Sequence, residues 1–198
     1  MVAIAVPTEA HYPVLLEVLK ASSIKAILCE KPLSYDLADA VEMVELTDRA
    51  GVSLYTNYMR RCDRAVVEVR RRLLDGEIEG PVKGVCWYSK GLFNNGSHFL
   101  NLLQFWLGQV INFEIIDKGR CWADKDPEPE LKIKFELGEI YFHAALDENF
   151  SYYGLELIAS NGRLRYEHGL MQWQSVVADE NHAGYMVLNR ERETIESD

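Results

Sequence analysis

The chain has 198 residues, 48% of them apolar, and a formal net charge of −10 from 21 Lys and Arg against 31 Asp and Glu. That length holds one domain, or a small domain joined to part of another, with room for a proper core. The acidic balance argues against nucleic acid as a partner, which needs clustered Lys and Arg, and no apolar run approaches the ~20 residues that span a membrane.

Residues 1–6 look briefly like a signal core, but they lack a basic leader and meet Pro7 and Glu9 at once. Residues 2–6 therefore read as a short apolar strand, buried on both faces of a parallel sheet. Val14, Leu15, Val18 and Leu19 then recur at helical spacing within residues 12–22, although Pro13 fits only an early turn and blurs the start. Residues 26–29 read as a second buried strand, 37–50 as a helix stopped by Gly51, and 52–55 as a third strand. Strand, helix, strand, helix, strand is the grammar of a doubly wound α/β unit.

A second region starts near Tyr58. Residues 61–74 read as a helix ending at Asp75-Gly76, 81–90 as a strand, and 97–107 as an apolar, buried helix closed by Gly108. From Val110 the periodicity changes to two. Strands are expected over 112–122, 130–136, 139–146, 155–159, 163–167, 171–177 and 185–189, with hairpin turns at Asn161-Gly162 and Leu137-Gly138. The acidic stretch 124–130 reads as a solvated turn. Together these define an α/β remnant of a doubly wound parallel sheet, followed by an α+β domain with a large, mostly antiparallel open sheet.

Cys29, Cys62, Cys86 and Cys121 are widely spaced with no C-x-x-C, which points to reduced thiols in a cytoplasmic protein rather than a disulfide framework or zinc site. His143, His168 and His182 fall on different expected strands or loops, so no metal is expected.

Several spaced motifs stand out in order: Pro7-Thr8 with His11, Glu30-Lys31-Pro32, Arg60-Arg61, and Asn94-Asn95-Gly96-Ser97-His98-Phe99-Leu100-Asn101. The order resembles the glucose-fructose oxidoreductase, inositol dehydrogenase and rhizopine catabolism superfamily, Gfo/Idh/MocA. The resemblance runs from Val2 to at least Gly108 and more loosely to Asn189. It implies that residues 1–57 are the C-terminal portion of a Rossmann NAD(P)-binding domain, and 58–198 an α+β domain for substrate and oligomerisation. No G-x-G occurs in the chain, so the G-x-G-x-x-G phosphate loop is absent, as is the acidic residue about 20 positions on that would hold a ribose. Against that family the chain reads as truncated at its N-terminal side, and the acidic end 191–198 stops early. The strand at Val2 becomes a bare edge, expected to be covered by another chain or poorly ordered.

The resemblance also implies roles. Lys31, at a strand end, would sit near the nicotinamide and a substrate hydroxyl, where an ammonium can steady developing alkoxide charge or share in proton transfer; Glu30 and Pro32 would shape its turn. Pro7, Thr8 and His11 would pass the nicotinamide ribose, or else serve as an N-cap threonine and a surface His. His98 matches the base of the family pattern D-x-G-x-H-x-x-D, in which Asn94 and Asn101 replace both carboxylates. Imidazole suits proton removal near neutral pH, but Asn can orient a ring without charging its surroundings. The other reading makes His98 a polar residue near a helix start. Asn57, Tyr58, Arg60 and Arg61 would lie along the substrate cleft, with Tyr88, Lys90 and Asn95 as further contacts. Arg61, and still more Arg70-Arg71-Arg72, could equally form an exposed basic patch.

The leading expectation is an NAD- or NADP-dependent oxidoreductase acting on a sugar, nucleotide-sugar or cyclitol hydroxyl, assembling as a homodimer or homotetramer through the open sheet. The alternative is a non-catalytic fragment serving in self-association or small-molecule (sugar) binding.

Overall fold

A computed structural model describes residues 1–21, 23–145 and 150–196. Ser22, Leu146, Ser197 and Asp198, each inside an expected element or the acidic end, lie outside the described residues. The chain divides into two compact units, Met1–Met59 and Arg60–Asp198.

The first unit is a three-stranded parallel sheet, order β1-β2-β3, built from β1 (Val2–Ile4), β2 (Ala26–Cys29) and β3 (Ser53–Thr56). The crossovers are α1 (His11–Leu19), preceded by a 3₁₀ turn at Thr8–Ala10, and α2 (Leu37–Arg49). Asp36 caps α2 by accepting the N–H groups of Ala38 and Asp39, which satisfies two of the orphan donors at a helix start. Gly51, with φ +65°, ends it. Pro7, not Thr8, occupies the cap position of the first turn, and no side-chain cap bond forms there. The core gathers Ile4, Ile27 and Cys29 against Leu15 and Met43. Ala3, Ala5, Val6 and Tyr55 remain exposed, so β1 is buried on one face rather than both. Strand alternation explains this: a run of apolar residues still sends every second side chain the other way. Among the described residues β1 pairs with β2 alone and forms one edge of the sheet.

A 3₁₀ turn (Met59–Cys62) runs across the boundary, and the first helix of the second unit is α3 (Arg64–Leu74), capped by Asp63. Then follow β4 (Val82–Tyr88), a π-helical turn at Gly91–Gly96 and α4 (Ser97–Leu107). Eight further strands follow: β5 (Val110–Trp122), β6 (Asp126–Phe135), β7 (Gly138–Ala144), β8 (Gly154–Ala159), β9 (Gly162–Glu167), β10 (Leu170–Ala178), β11 (Met186–Leu188) and β12 (Glu193–Ile195). They form one sheet with the order β11-β10-β9-β8-β4-β7-β6-β5, and β12 pairs with β10. All pairings are antiparallel except β4 with β7. Along β4 the alternation is strict: Val82, Cys86 and Tyr88 are buried while Lys83 and Trp87 are exposed. One face carries α3 and α4, where Trp106 donates its indole N–H to the Val66 carbonyl at 2.9 Å. The other face is open, with Trp87 and Ile158 more than 40% exposed.

Two expectations are corrected. Residues 124–130 are not a solvated turn. Only Ala123, Asp124 and Lys125 turn, and β6 starts at Asp126, with Asp126 and Glu128 both buried. Pro127 and Pro129 are tolerated because β6 meets β7 only from Leu131 onward, so one side of the strand needs no ladder bonds there. Nor are Arg71 and Arg72 a free basic patch, while Arg70 stays exposed with its guanidinium 4.2 Å from the Phe105 ring centre. Arg71 pairs with Glu68, Asp75 and Glu77, and Arg72 pairs with Glu68 and Glu193. Among the described residues no helix is long and apolar enough to cross a membrane.

Candidate functional site

Parallel strands place all their C-terminal ends along one side of a sheet, where open α/β proteins put their ligands. In the first unit those ends are Val6-Pro7 beyond β1, Glu30-Lys31-Pro32 beyond β2 and Asn57 beyond β3. Hydrogen bonds tie the three into one cluster. Glu30 N–H donates to the Ile4 carbonyl at 2.9 Å, and Asn57 N–H to the Cys29 carbonyl at 2.7 Å. The Asn57 amide donates to the Glu30 carboxylate at 2.7 Å. His11, 1% exposed, sets Nε2 against the Val6 carbonyl at 3.0 Å and Nδ1 against the Pro32 carbonyl at 3.1 Å. It is thus no surface histidine: its ring staples the first loop to the second. Lys31, half-buried, sits between Glu30 and Pro32 with a cis peptide to the proline. Burial, then the neighbouring Glu30 charge, pushes the Cys29 thiol up to about 11, so it stays protonated and inert at neutral pH.

The second unit carries the other candidates around the start of α4. The chain leaves β4, turns through Lys90 in a left-handed conformation (φ 60°), and enters the π-helical turn. Such single turns are rare and recur at functional sites. Asn94 donates its side-chain amide to the Lys90 carbonyl at 3.1 Å, and the Ser97 hydroxyl donates to the Phe93 carbonyl at 2.6 Å. Asn95 and His98 are half-buried. Asn101, one turn beyond His98, is held by Arg61: Nε donates to its Oδ1 at 2.6 Å and Nη2 to its carbonyl at 3.2 Å. The Arg61 guanidinium lies 5.1 Å from the centre of the Phe105 ring. Arg60 is sandwiched by aromatics, its guanidinium carbon 4.9 Å from the Tyr153 ring centre and 5.3 Å from that of Phe99, a cation–π arrangement that fixes a long side chain.

Tyr88 is a correction. It is fully buried, and its hydroxyl donates to the Pro129 carbonyl at 2.5 Å. Burial, then the charge of Glu128, holds its pKa far above the ordinary tyrosine value. It is a core residue, not a substrate contact. Sequence reasoning missed Asp126 and Glu128. Asp126 accepts the N–H groups of Phe93 and Asn94, each at 2.9 Å, and Glu128 accepts that of Gly91 at 3.1 Å. The signal was the alternation Asp126-x-Glu128, which puts both carboxylates on one face once the stretch is a strand. Among the described residues no cluster of His, Cys, Asp or Glu could hold a metal ion.

A parallel βαβαβ unit with polar strand ends, followed by a large mostly antiparallel sheet, defines the class: a Rossmann-type α/β unit with a second, sheet-based unit. Residues 1–58 match the model of an oxidoreductase family with an NAD-binding Rossmann fold. An inositol 2-dehydrogenase of Corynebacterium glutamicum is 30% identical over 151 residues, 74% of this chain and 42% of that protein. A myo-inositol 2-dehydrogenase of Thermotoga maritima is 38% identical over 74 residues, 37% of this chain and 22% of that protein. An inositol dehydrogenase homologue from Azotobacter vinelandii, solved in complex with NADH and myo-inositol, superposes with a TM-score of 0.70 at 15% identity, covering 94% of this chain and 55% of that one. Over residues 1–58 the chain matches the Gfo/Idh/MocA oxidoreductase family, and beyond them it is similar to inositol dehydrogenases. It spans less than half the length of either of these two inositol dehydrogenases.

The residues present fit one part of a dinucleotide. The tied strand ends offer a rigid polar ledge with a cation, Lys31, suited to the nicotinamide end. A pyrophosphate cradle is not among them, since the sequence contains no G-x-G.

Proposed function

We propose that this chain takes part in the NAD(P)-dependent oxidation of a sugar or cyclitol hydroxyl. Residues 1–57 would serve the cofactor and 58–198 the substrate and assembly. The carrying observation is the convergence of Pro7, His11, Glu30, Lys31, Pro32 and Asn57 at the C-terminal ends of three parallel strands. The inositol dehydrogenase names of its relatives support a polyol substrate, as does the myo-inositol held by its structural neighbour.

When bound, the nicotinamide ring supplies a hydride acceptor. This chain's residues would do the rest. Pro7, Thr8 and the Glu30-Lys31-Pro32 turn position the ring, with His11 bracing both loops. The Lys31 ammonium steadies negative charge on the reacting oxygen. On the second unit His98 Nε2 or Nδ1 would take the hydroxyl proton and Asn94, Asn95 and Arg60 would orient the polyol; Asn57 is the substrate-contact candidate of the first. Removal of that proton by a placed imidazole contributes on the order of 10²–10⁴-fold. Assembly through the open face of the large sheet belongs to the same proposal.

A second reading, sugar binding without turnover, draws on Asn94 and Asn101. Both amides stand where the family pattern has carboxylates, and both are engaged in scaffold contacts with Lys90 and Arg61. Calorimetric titration of the chain with NAD⁺ and NADP⁺, followed by myo-inositol, separates the two. Micromolar cofactor binding and reduction of the cofactor on adding a polyol support oxidation. Polyol binding with no cofactor binding supports the second reading.

A further inference from the structure

The turn that delivers Asn94 and His98 has an unusual anchor. A helix start leaves its first backbone N–H groups without partners inside the helix, and the residue just before α4, Gly96, supplies no capping side chain. The donors of the preceding π-helical turn are met from elsewhere in the chain. Asp126, at the start of β6 and fully buried, accepts the N–H groups of Phe93 and Asn94 at 2.9 Å each. Two residues on, Glu128, 1% exposed, accepts the N–H of Gly91 at 3.1 Å, and its other oxygen lies 2.7 Å from Arg120 Nε on the adjacent strand β5.

The fit is close. Gly91 has φ +88°, and a Cβ placed on it would lie 2.0 Å from Asp126 Cγ. No side chain is possible at that position while the carboxylate stays where it is. Burying a carboxylate is costly unless it is hydrogen-bonded, and burial does push the Asp126 carboxyl upward while the backbone bonds from Phe93 and Asn94 pull it down. A pair of buried acids in a stretch that could have been a solvated turn is therefore retained against a cost. What it secures is the position of the π-helical turn relative to the sheet.

We propose that Asp126, backed by Glu128, is the positioning residue for the candidate catalytic segment: it fixes the backbone at Asn94 and so aims His98, one helical turn further on. This rests on the assignment of His98 as the base. Asp126 itself touches neither substrate nor cofactor in this reading.

The test uses the full chain with two substitutions, Asp126→Ala and the shape-conserving Asp126→Asn, and two independent readouts. The first is hydrogen exchange at single-amide resolution together with the His98 imidazole NMR signals. The expected result for Asp126→Ala is loss of protection over residues 93–98 and a shifted or broadened His98 signal. Protection of 102–107 should stay as in the parent, and Asp126→Asn should fall between the two. The second is steady-state oxidation of a polyol. There kcat should fall about 10–100-fold for Asp126→Ala, with the KM for the cofactor unchanged and partial recovery in Asp126→Asn. Unchanged protection and an unchanged His98 signal overturn the proposal, as does a drop in kcat that merely tracks the folded fraction. If the parent chain oxidises nothing, the reading of His98 as a base fails, while the exchange and NMR arm still decides whether Asp126 positions it. Should Asp126→Ala not fold, Asp126→Asn and Glu128→Gln carry the same comparison.

Discussion

A single imidazole in the first unit holds two loops at once. His11 has no exposed surface to speak of, and its two nitrogens face the carbonyls of Val6 and Pro32. A neutral imidazole has one N–H, so removing it leaves one of these carbonyls without its donor, which costs about 1–3 kcal/mol where that carbonyl is buried. We expect His11→Ala to lower the denaturation midpoint of the chain accordingly and, if the cofactor binds at these loops, to weaken that binding more than it weakens folding; parallel denaturation and titration curves check this. Asn94 poses a different balance. Asn94→Asp restores the carboxylate of the family pattern and should raise turnover where His98 is the base. It also loses the donor that now meets the Lys90 carbonyl, so a small loss in stability, about 1 kcal/mol, should accompany the gain. Turnover unchanged or absent in both forms would remove His98 from the mechanism.

Among the elements, α3 shows how charge is used. Arg71 and Arg72 bind Glu68 on their own helix, and Arg72 reaches Glu193 on β12, tying the last described strand to the helix layer. The Arg71 and Arg72 hydrogen bonds hold the Glu68 carboxyl at about 2, below its ordinary 4.5. A carboxylate whose folded pKa is depressed adds stability above its unfolded value and loses it as pH falls. The contribution of Glu68 should therefore be complete above about pH 4.5 and drain away toward pH 2. Acid denaturation of Glu68→Gln should show a shallower slope over that window, and an identical slope would count against the network. The pH curve is the better probe, because exposed pairs of this kind carry little free energy at neutral pH. Elements such as β2 and α4 could be bounded from the sequence to the residue, because apolar patterning meets a clear stop there, Glu30-Lys31-Pro32 after β2 and Gly108 after α4. The start of β6 could not. Asp, Pro and Glu in alternation favour a turn by every local rule, and only the tertiary need for acceptors at the turn before α4 makes them a buried strand. The same limit applied to the site. Glu30, Asn57, His11 and Pro32 could each be named from local motifs, but the bonds that join them span up to 27 residues and leave no local trace. Tyr88, read as a contact, was instead claimed by the core.

For the whole molecule, two separate cores mean that each unit has its own reason to fold. The open face of the large sheet sets aromatic surface beside paired charges. Trp87 and Tyr141 flank His143 with ring centres 5.2 and 6.4 Å from it, while Glu156 pairs with Arg163 and Arg165 nearby. Such a surface suits a self-complementary contact, in which each charge can meet its opposite on a second copy. We expect the chain to sediment as a dimer or tetramer and Trp87→Glu to shift it toward monomer; a monomeric parent at tens of micromolar would refute assembly through this face.

The position of β4 has a consequence in time as well as space. It lies in the middle of the large sheet, yet its neighbours are β7 and β8: Val82 waits for Gly138, and Lys83 for Ile158. The strand around which the unit is organised is thus made long before anything can pair with it. On a ribosome both its edges stay unpaired while roughly the next fifty residues, as far as β7, are synthesised, at about 5–20 residues per second. Contacts so distant along the chain make for slow folding, in milliseconds to seconds. For that interval the future centre of the sheet is an adhesive ribbon, and a cell producing this protein would have to shelter it.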